Sequence, residues 1–129
     1  MEYIKKGVAL VERNGYALVV SKDGKVFSLA GGLVRGKESK IEAAFRELKE
    51  ETNLNGLSYE HFMDYLGQVR KINKKKYRKE ARVFIVSASG YARPKNEISR
   101  IAWWKPGCGI TLSENSRRVL ENYFEVYVD

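Results

Sequence analysis

The chain has 129 residues, 43% of them hydrophobic and 31% charged, which fits one globular domain with its own core and excludes a disordered tail or a fibrous repeat. No run approaches the ~18 apolar residues of a membrane span, and the opening MEYIKKG lacks the apolar segment of a secretory signal, so residues 1–129 read as a single cytoplasmic domain with no membrane partner. Net charge is +8, but eight basic residues and one acid fall between Arg70 and Arg82, leaving the rest of the chain close to neutral.

In chain order, Tyr3 to Val11 reads as a strand, Asn14-Gly15 as a tight hairpin turn, and Tyr16 to Val20 as the returning strand. Lys22-Asp23-Gly24 is a second turn into a strand over Val26 to Leu29, which ends at a Gly31-Gly32 corner. A helix begins near Ser39. A short strand or irregular piece follows around Phe62 to Leu66, and the basic segment leads as a hairpin loop at the sheet's rim into a buried strand over Ala81 to Ala88. Ser89 to Lys95 is a loop, Ile98 to Trp104 a strand, and Ser113 to Phe124 a second helix with Ser113 as N-cap. Trp103 and Trp104 must point to opposite faces of their strand. Strands, helix, strands and helix in one domain give an α/β (α+β) sandwich with a mixed sheet. The single cysteine, Cys108, excludes an internal disulfide, and with only one histidine, His61, no zinc site or histidine-based triad is expected.

The first helix is where the chemistry concentrates. Ser39-x-x-Glu42 is a capping box that fixes its start, and Asn53 sits where a left-handed cap would end it. Ile41, Ala44, Phe45 and Leu48 repeat at helical period on the face that docks. Glu47, Glu50 and Glu51 stand at i, i+3 and i+4 beside it, so three like charges share one patch, which a fold alone does not require. A hard divalent cation, Mg²⁺ or Mn²⁺, relieves that repulsion. Gly32 permits close approach of strand end to helix and leaves backbone carbonyls to face the same ion. Arg46, one turn from Glu42 and Glu50, is placed to orient a carboxylate.

These residues carry a resemblance. Gly32, five residues, Glu38, seven residues, then Arg46-Glu47-Leu48-Lys49-Glu50-Glu51-Thr52-Asn53-Leu54 resembles the Nudix box, with every charged position in place and Asn53 where the family usually has glycine. The resemblance implies an α/β/α sandwich whose box helix lines the active cleft, and a Mg²⁺-dependent hydrolase that cleaves the diphosphate of a nucleoside diphosphate linked to another moiety. It matches Glu50 and Glu51 to the metal-binding pair, and Glu47 to a glutamate that binds metal or acts as base. Arg46 and Glu38 match residues that orient the set. Glu97, in the loop before the Trp103 strand, is a candidate for a further catalytic carboxylate, with an ordinary exposed acid as the alternative.

Substrate identity is less well marked. The prolines after the box are Pro94 and Pro106, neither at the distance typical of ADP-ribose hydrolases, which leaves a nucleoside triphosphate or related small nucleotide as the default. Lys74, Lys76, Tyr77 and Arg82 in the basic segment are candidates to grip a highly anionic substrate, such as a dinucleoside polyphosphate or a diphosphoinositol phosphate. They are equally placed to hold RNA, with Tyr77 stacking on a base, and a solubilising surface segment is the third reading. A non-catalytic nucleotide- or RNA-binding domain is the competing function, and a homodimer is left open.

Overall fold

The computed structural model describes residues 1–127. Its elements in order are β1 (Glu2–Leu10), β2 (Glu12–Arg13), β3 (Tyr16–Ser21), β4 (Ala30–Leu33), α1 (Lys40–Thr52), β5 (Asn55–Leu66), β6 (Arg70–Ile72), β7 (Lys75–Ser89), β8 (Arg100–Trp104) and α2 (Glu114–Tyr127). The strands form two sheets. The first runs β4-β1-β7-β5 with β6 also on β7, and the second runs β2-β3-β8. The β1–β7 pair is parallel and the other pairs are antiparallel. The expected single mixed sheet is thus a mixed sheet and a smaller antiparallel one.

Alternation along the strands divides the core in two. Val8, Leu10, Ala17, Val19, Ala81 and Val83 face one way and meet Val119, Leu120, Tyr123 and Phe124 of α2. Ala9, Val11, Leu18, Val20, Phe84 and Val86 face the other way and meet Ala44 and Leu48 of α1. The sheets therefore lie between the two helices, an α/β/α sandwich. Trp104 is buried edge-on against Phe124, whereas Trp103 packs at the margin of the α1-side core, with Arg13 over its ring. No helix of the described residues is long and apolar enough to cross a membrane.

The helix that carries the carboxylates is fixed at both ends. Ser39 Oγ accepts from the Glu42 amide and the Glu42 carboxylate accepts from the Ser39 amide, so the capping box is closed. At the far end Asn53 has φ 69° and its N–H donates to the Lys49 carbonyl. Asn takes this left-handed conformation at lower cost than a residue without a short polar side chain. Asn53→Ala should therefore lose about 1 kcal/mol in urea unfolding, while Asn53→Gly should stay within about 0.5 kcal/mol of the wild type. Gly7 lets β1 approach the helix, because a Cβ there would collide with the Lys40 carbonyl.

Three expectations from the sequence need correction. Val26 to Leu29 is not a strand: Phe27 N–H donates to the Thr111 carbonyl, Ser28 exchanges bonds with Val20, and the strand proper begins at Ala30 and runs through both glycines. The short strand at Phe62 to Leu66 is the end of a 12-residue edge strand, β5. The basic segment is a hairpin at the sheet's rim, as expected, but it is strand almost to its tip. It is the β6–β7 hairpin, turned by Asn73 and Lys74 at positive φ, and β7 continues the buried strand outward over Lys75 to Glu80.

Candidate active site

Glu47 and Glu51 stand one turn apart on the face of α1 that meets β4, and both are buried, at 8% and 5% exposure. Oxygen atoms from Glu47, Glu51 and Glu97 all lie within 4.8 Å of one another. Glu97 arrives from the loop before β8, and the sequence explains how that loop is held. The last turn of α1 leaves carbonyls without helical partners, and residues 93–96 supply the donors. Arg93 N–H binds the Thr52 carbonyl, Lys95 N–H the Glu51 carbonyl, and the Asn96 side-chain amide the Glu50 carbonyl. The loop thus caps the helix and carries Glu97 to its carboxylates.

On the other side, β4 forms the wall. Gly31 N–H donates to Glu51 Oε1 at 3.0 Å. Gly32 pairs with Gly7 in the β1–β4 ladder and enters the site through its missing side chain, since a Cβ there would lie 2.5 Å from Glu47 Cδ and 2.7 Å from Oε1. Glu47 cannot swing away without leaving Arg46, whose Nη1 donates to Glu47 Oε1 at 2.6 Å. Gly32→Ala should therefore keep the fold but displace the carboxylate, lowering kcat by roughly 10–100-fold, as loss of ligand positioning does. Circular dichroism with steady-state kinetics checks this.

Arg46 is the organiser of the site's rim. It grips Glu38 through Nε at 2.7 Å and Nη2 at 2.9 Å, donates to the Leu33 carbonyl at 3.0 Å, and reaches Glu47 and Glu50 through Nη1. Glu38 in turn accepts from the Arg35 amide, so the 34–38 loop is tied to α1. The Arg46 guanidinium holds the Glu38 carboxyl down to about 2, and its own pKa is raised by Glu38 first and Glu47 next. Glu50 does not join the three-carboxylate group. It turns outward to Arg46 at 3.4 Å and Arg35 at 3.7 Å.

Burial pushes the Glu51 carboxyl up to about 7, with the negative charges of Glu47 and Glu97 adding to it against the opposing pull of the Gly31 amide and Lys6. Lys6 on β1 has its pKa lowered, first by burial and then by Lys79, while Glu51 and Glu47 oppose the shift. Nothing in the sequence marked Lys6, which is one polar residue in an alternating strand. It borders a cavity of about 520 Å³ on the α2 side of the sheet, shared with Tyr65, Arg70, Tyr77, Lys79 and Arg118. Of the four basic-segment candidates only Tyr77 lines this cavity. Lys74 sits in the hairpin turn, Lys76 projects from the opposite face, and Arg82 is held by Asp64 at 2.9 and 3.1 Å. His61 bonds the same Asp64, and Cys108 is an exposed free thiol.

The NUDIX domain family model matches residues 4–122. The chain belongs to the Nudix family. Similar solved structures agree. A nudix hydrolase family member from Chromobacterium violaceum has a TM-score of 0.78 at 26% identity, covering 96% of this chain and 78% of that one. The MutT NUDIX hydrolase from Burkholderia pseudomallei aligns at TM-score 0.72 and 18% identity, over 94% and 98% of the two chains. A bifunctional NMN adenylyltransferase/ADP ribose pyrophosphatase from Francisella tularensis, in complex with AMP and a Mn ion, aligns at 0.65 and 18% over 95% of this chain and 41% of that one. The comparison with curated proteins found no match. The Nudix box of this chain is thus seated on the Nudix fold, and the chain is a Nudix hydrolase.

Nudix enzymes use divalent metals, and the donor set here fits one. Three carboxylates crowded within 4.8 Å, two of them buried, repel unless protonated or neutralised, and all-oxygen donors suit Mg²⁺ or Mn²⁺.

Proposed function

We propose that this Nudix hydrolase is a Mg²⁺-dependent pyrophosphohydrolase, with Mn²⁺ as substitute, that cleaves the diphosphate linkage of a nucleoside triphosphate or related nucleoside diphosphate derivative. The observation that carries this reading is the convergence of Glu47, Glu51 and Glu97 against the glycines of β4. In it Glu47, Glu51 and Glu97 hold the metal, with Glu50 on the rim and Gly32 leaving room for them. When bound, the metal neutralises phosphate charge and lowers the pKa of water that attacks phosphorus. Glu47 or Glu97 takes the proton from that water. Arg46 and Glu38 act as positioning residues that fix Glu47's rotamer. The cavity beside Lys6 receives the rest of the substrate. Kinship with MutT and ADP ribose pyrophosphatase structures supports a small nucleotide over RNA as substrate.

The test is a hydrolysis panel of nucleoside triphosphates, ADP-ribose and dinucleoside polyphosphates with and without Mg²⁺, products separated by chromatography. Mg²⁺-dependent release of a nucleoside monophosphate, lost in Glu51→Gln, is the expected result. Nucleotide binding without turnover of any substrate would instead make this a binding domain.

A further inference from the structure

The cavity beside Lys6 has a cationic lining. Lys6 of β1, Arg70 of β6, Lys79 of β7 and Arg118 of α2 all border its 520 Å³, with Arg78, whose Nε donates to the Gly67 carbonyl, as a fifth cation against a single acid, Glu114. Among the described residues none of these four cations, Lys6, Arg70, Lys79 and Arg118, is in an ion pair. Lys79 and Lys6 come from neighbouring parallel strands, with Lys79 opposite Ile4 in the register, so they sit diagonally on the same face. Burial first, and Lys79 next, loosen the hold of Lys6 on its proton. Four unpaired cations around one partly enclosed space repel each other, and an anion is the group that relieves them.

The cavity adjoins the site through Lys6, although none of Glu47, Glu51 and Glu97 lines it. Lys6 pairs with Leu33 in the β1–β4 ladder, next to the Gly7–Gly32 pair, and Gly32 packs on Glu47, so one residue along two strands separates the cationic space from the carboxylates. Tyr77 and Tyr65 supply flat walls there. An unsubstituted base is neutral and has no use for four cations. We propose that this cavity binds a phosphate of the substrate additional to the diphosphate that is cleaved, so that preferred substrates carry a further phosphate on the part remote from the cut. This rests on the hydrolase reading and names the substrate class for it. The extra phosphate is either a monoester on the nucleoside or the continuation of a polyphosphate chain, and both present the same anionic oxygens to Lys79, Arg70 and Arg118.

Matched substrates separate the two sources. NADP differs from NAD by one phosphate monoester, and diadenosine tetraphosphate differs from diadenosine diphosphate by chain length. The expected result is that kcat/KM is at least 10-fold higher for the phosphate-richer member of one pair, through KM. Which pair shows it identifies the source. Lys79→Ala and Arg118→Ala should each shrink that ratio several-fold. Lys71→Ala removes the same charge from the opposite face of the hairpin and should leave the ratio unchanged. Equal kcat/KM within both pairs overturns the proposal while leaving the hydrolase reading intact.

A second readout does not depend on turnover. Inorganic pyrophosphate, titrated calorimetrically in EDTA, should bind at one site that Lys79→Ala and Arg118→Ala weaken and Glu51→Gln retains. Binding of pyrophosphate by a protein that hydrolyses nothing would sustain the cationic site and overturn the hydrolase reading. Absence of binding, or binding weakened as much by Lys71→Ala as by Lys79→Ala, would overturn the site.

Discussion

Glu51→Gln is expected to cut hydrolysis by at least roughly 100-fold, more than loss of a residue that only supports a metal ligand, and at the same time to stabilise the metal-free protein at pH 8. Both effects come from one observation. Glu51 is 5% exposed beside two other carboxylates, and its carboxyl sits at about 7 in the fold against 4.5 ordinarily, with burial the first cause. Between those pH values the folded chain holds a proton that the unfolded chain has released. The stability tied to Glu51 is therefore fully present below about 4.5 and lost as pH rises through about 7. The loss amounts to about 3 kcal/mol. Gln cannot ionise, and its amide oxygen can still accept from Gly31. Metal-free Glu51→Gln should thus lack this fall and unfold at higher urea than wild type at pH 8, with the order reversed once Mg²⁺ is added. Urea titrations at pH 5.5 and 8 with EDTA or Mg²⁺ check all four conditions.

Arg46→Lys is the second large effect. Lysine keeps the charge but has no planar fork, so it cannot hold Glu38 through two bonds while reaching Leu33 and Glu47. With Arg46 lost, Glu47 is free to rotate and the 34–38 loop loses its tie to α1. Activity should fall roughly 10–100-fold through kcat, with Mn²⁺ affinity falling in step. Glu38→Gln should produce a smaller drop, because Arg46 then keeps its bonds to Leu33, Glu47 and Glu50. An equal or larger drop for Glu38→Gln would mean that Glu38 itself touches substrate.

The candidate site was legible where local chemistry decides structure. Ser39, Glu42 and Asn53 fix the helix ends by side chain and backbone bonds within a few residues, and Asn14-Gly15 turns its hairpin with both residues at positive φ. Glu97 was readable as a candidate carboxylate, but the donors that seat it, Arg93, Lys95 and Asn96, answer to the orphan carbonyls of α1 and make sense only after folding. Strand β5 was under-read because two register shifts, at Gly56/Ser58 and His61/Met63, break its period of two. The basic hairpin was legible, but the extent of its strands was not, because its charges sit at a sheet margin where β6 and β7 need no apolar face. Lys6 was invisible for a different reason: its importance comes from Lys79 and Glu51, which are distant in sequence. Glu50, grouped with Glu51 by helical spacing, was drawn out of the cluster by Arg46 and Arg35.

The most direct measurement is calorimetric titration of Mn²⁺ into wild type, Glu51→Gln and Glu97→Gln at pH 6.5 in two buffers of different ionisation heat. If Glu47, Glu51 and Glu97 hold the metal, wild type releases roughly three-quarters of a proton per ion from Glu51, binding tightens toward pH 8, and both variants bind at least 10-fold more weakly. Mn²⁺ bound equally well by Glu51→Gln, with no proton released from wild type, would place the metal elsewhere and contradict the site.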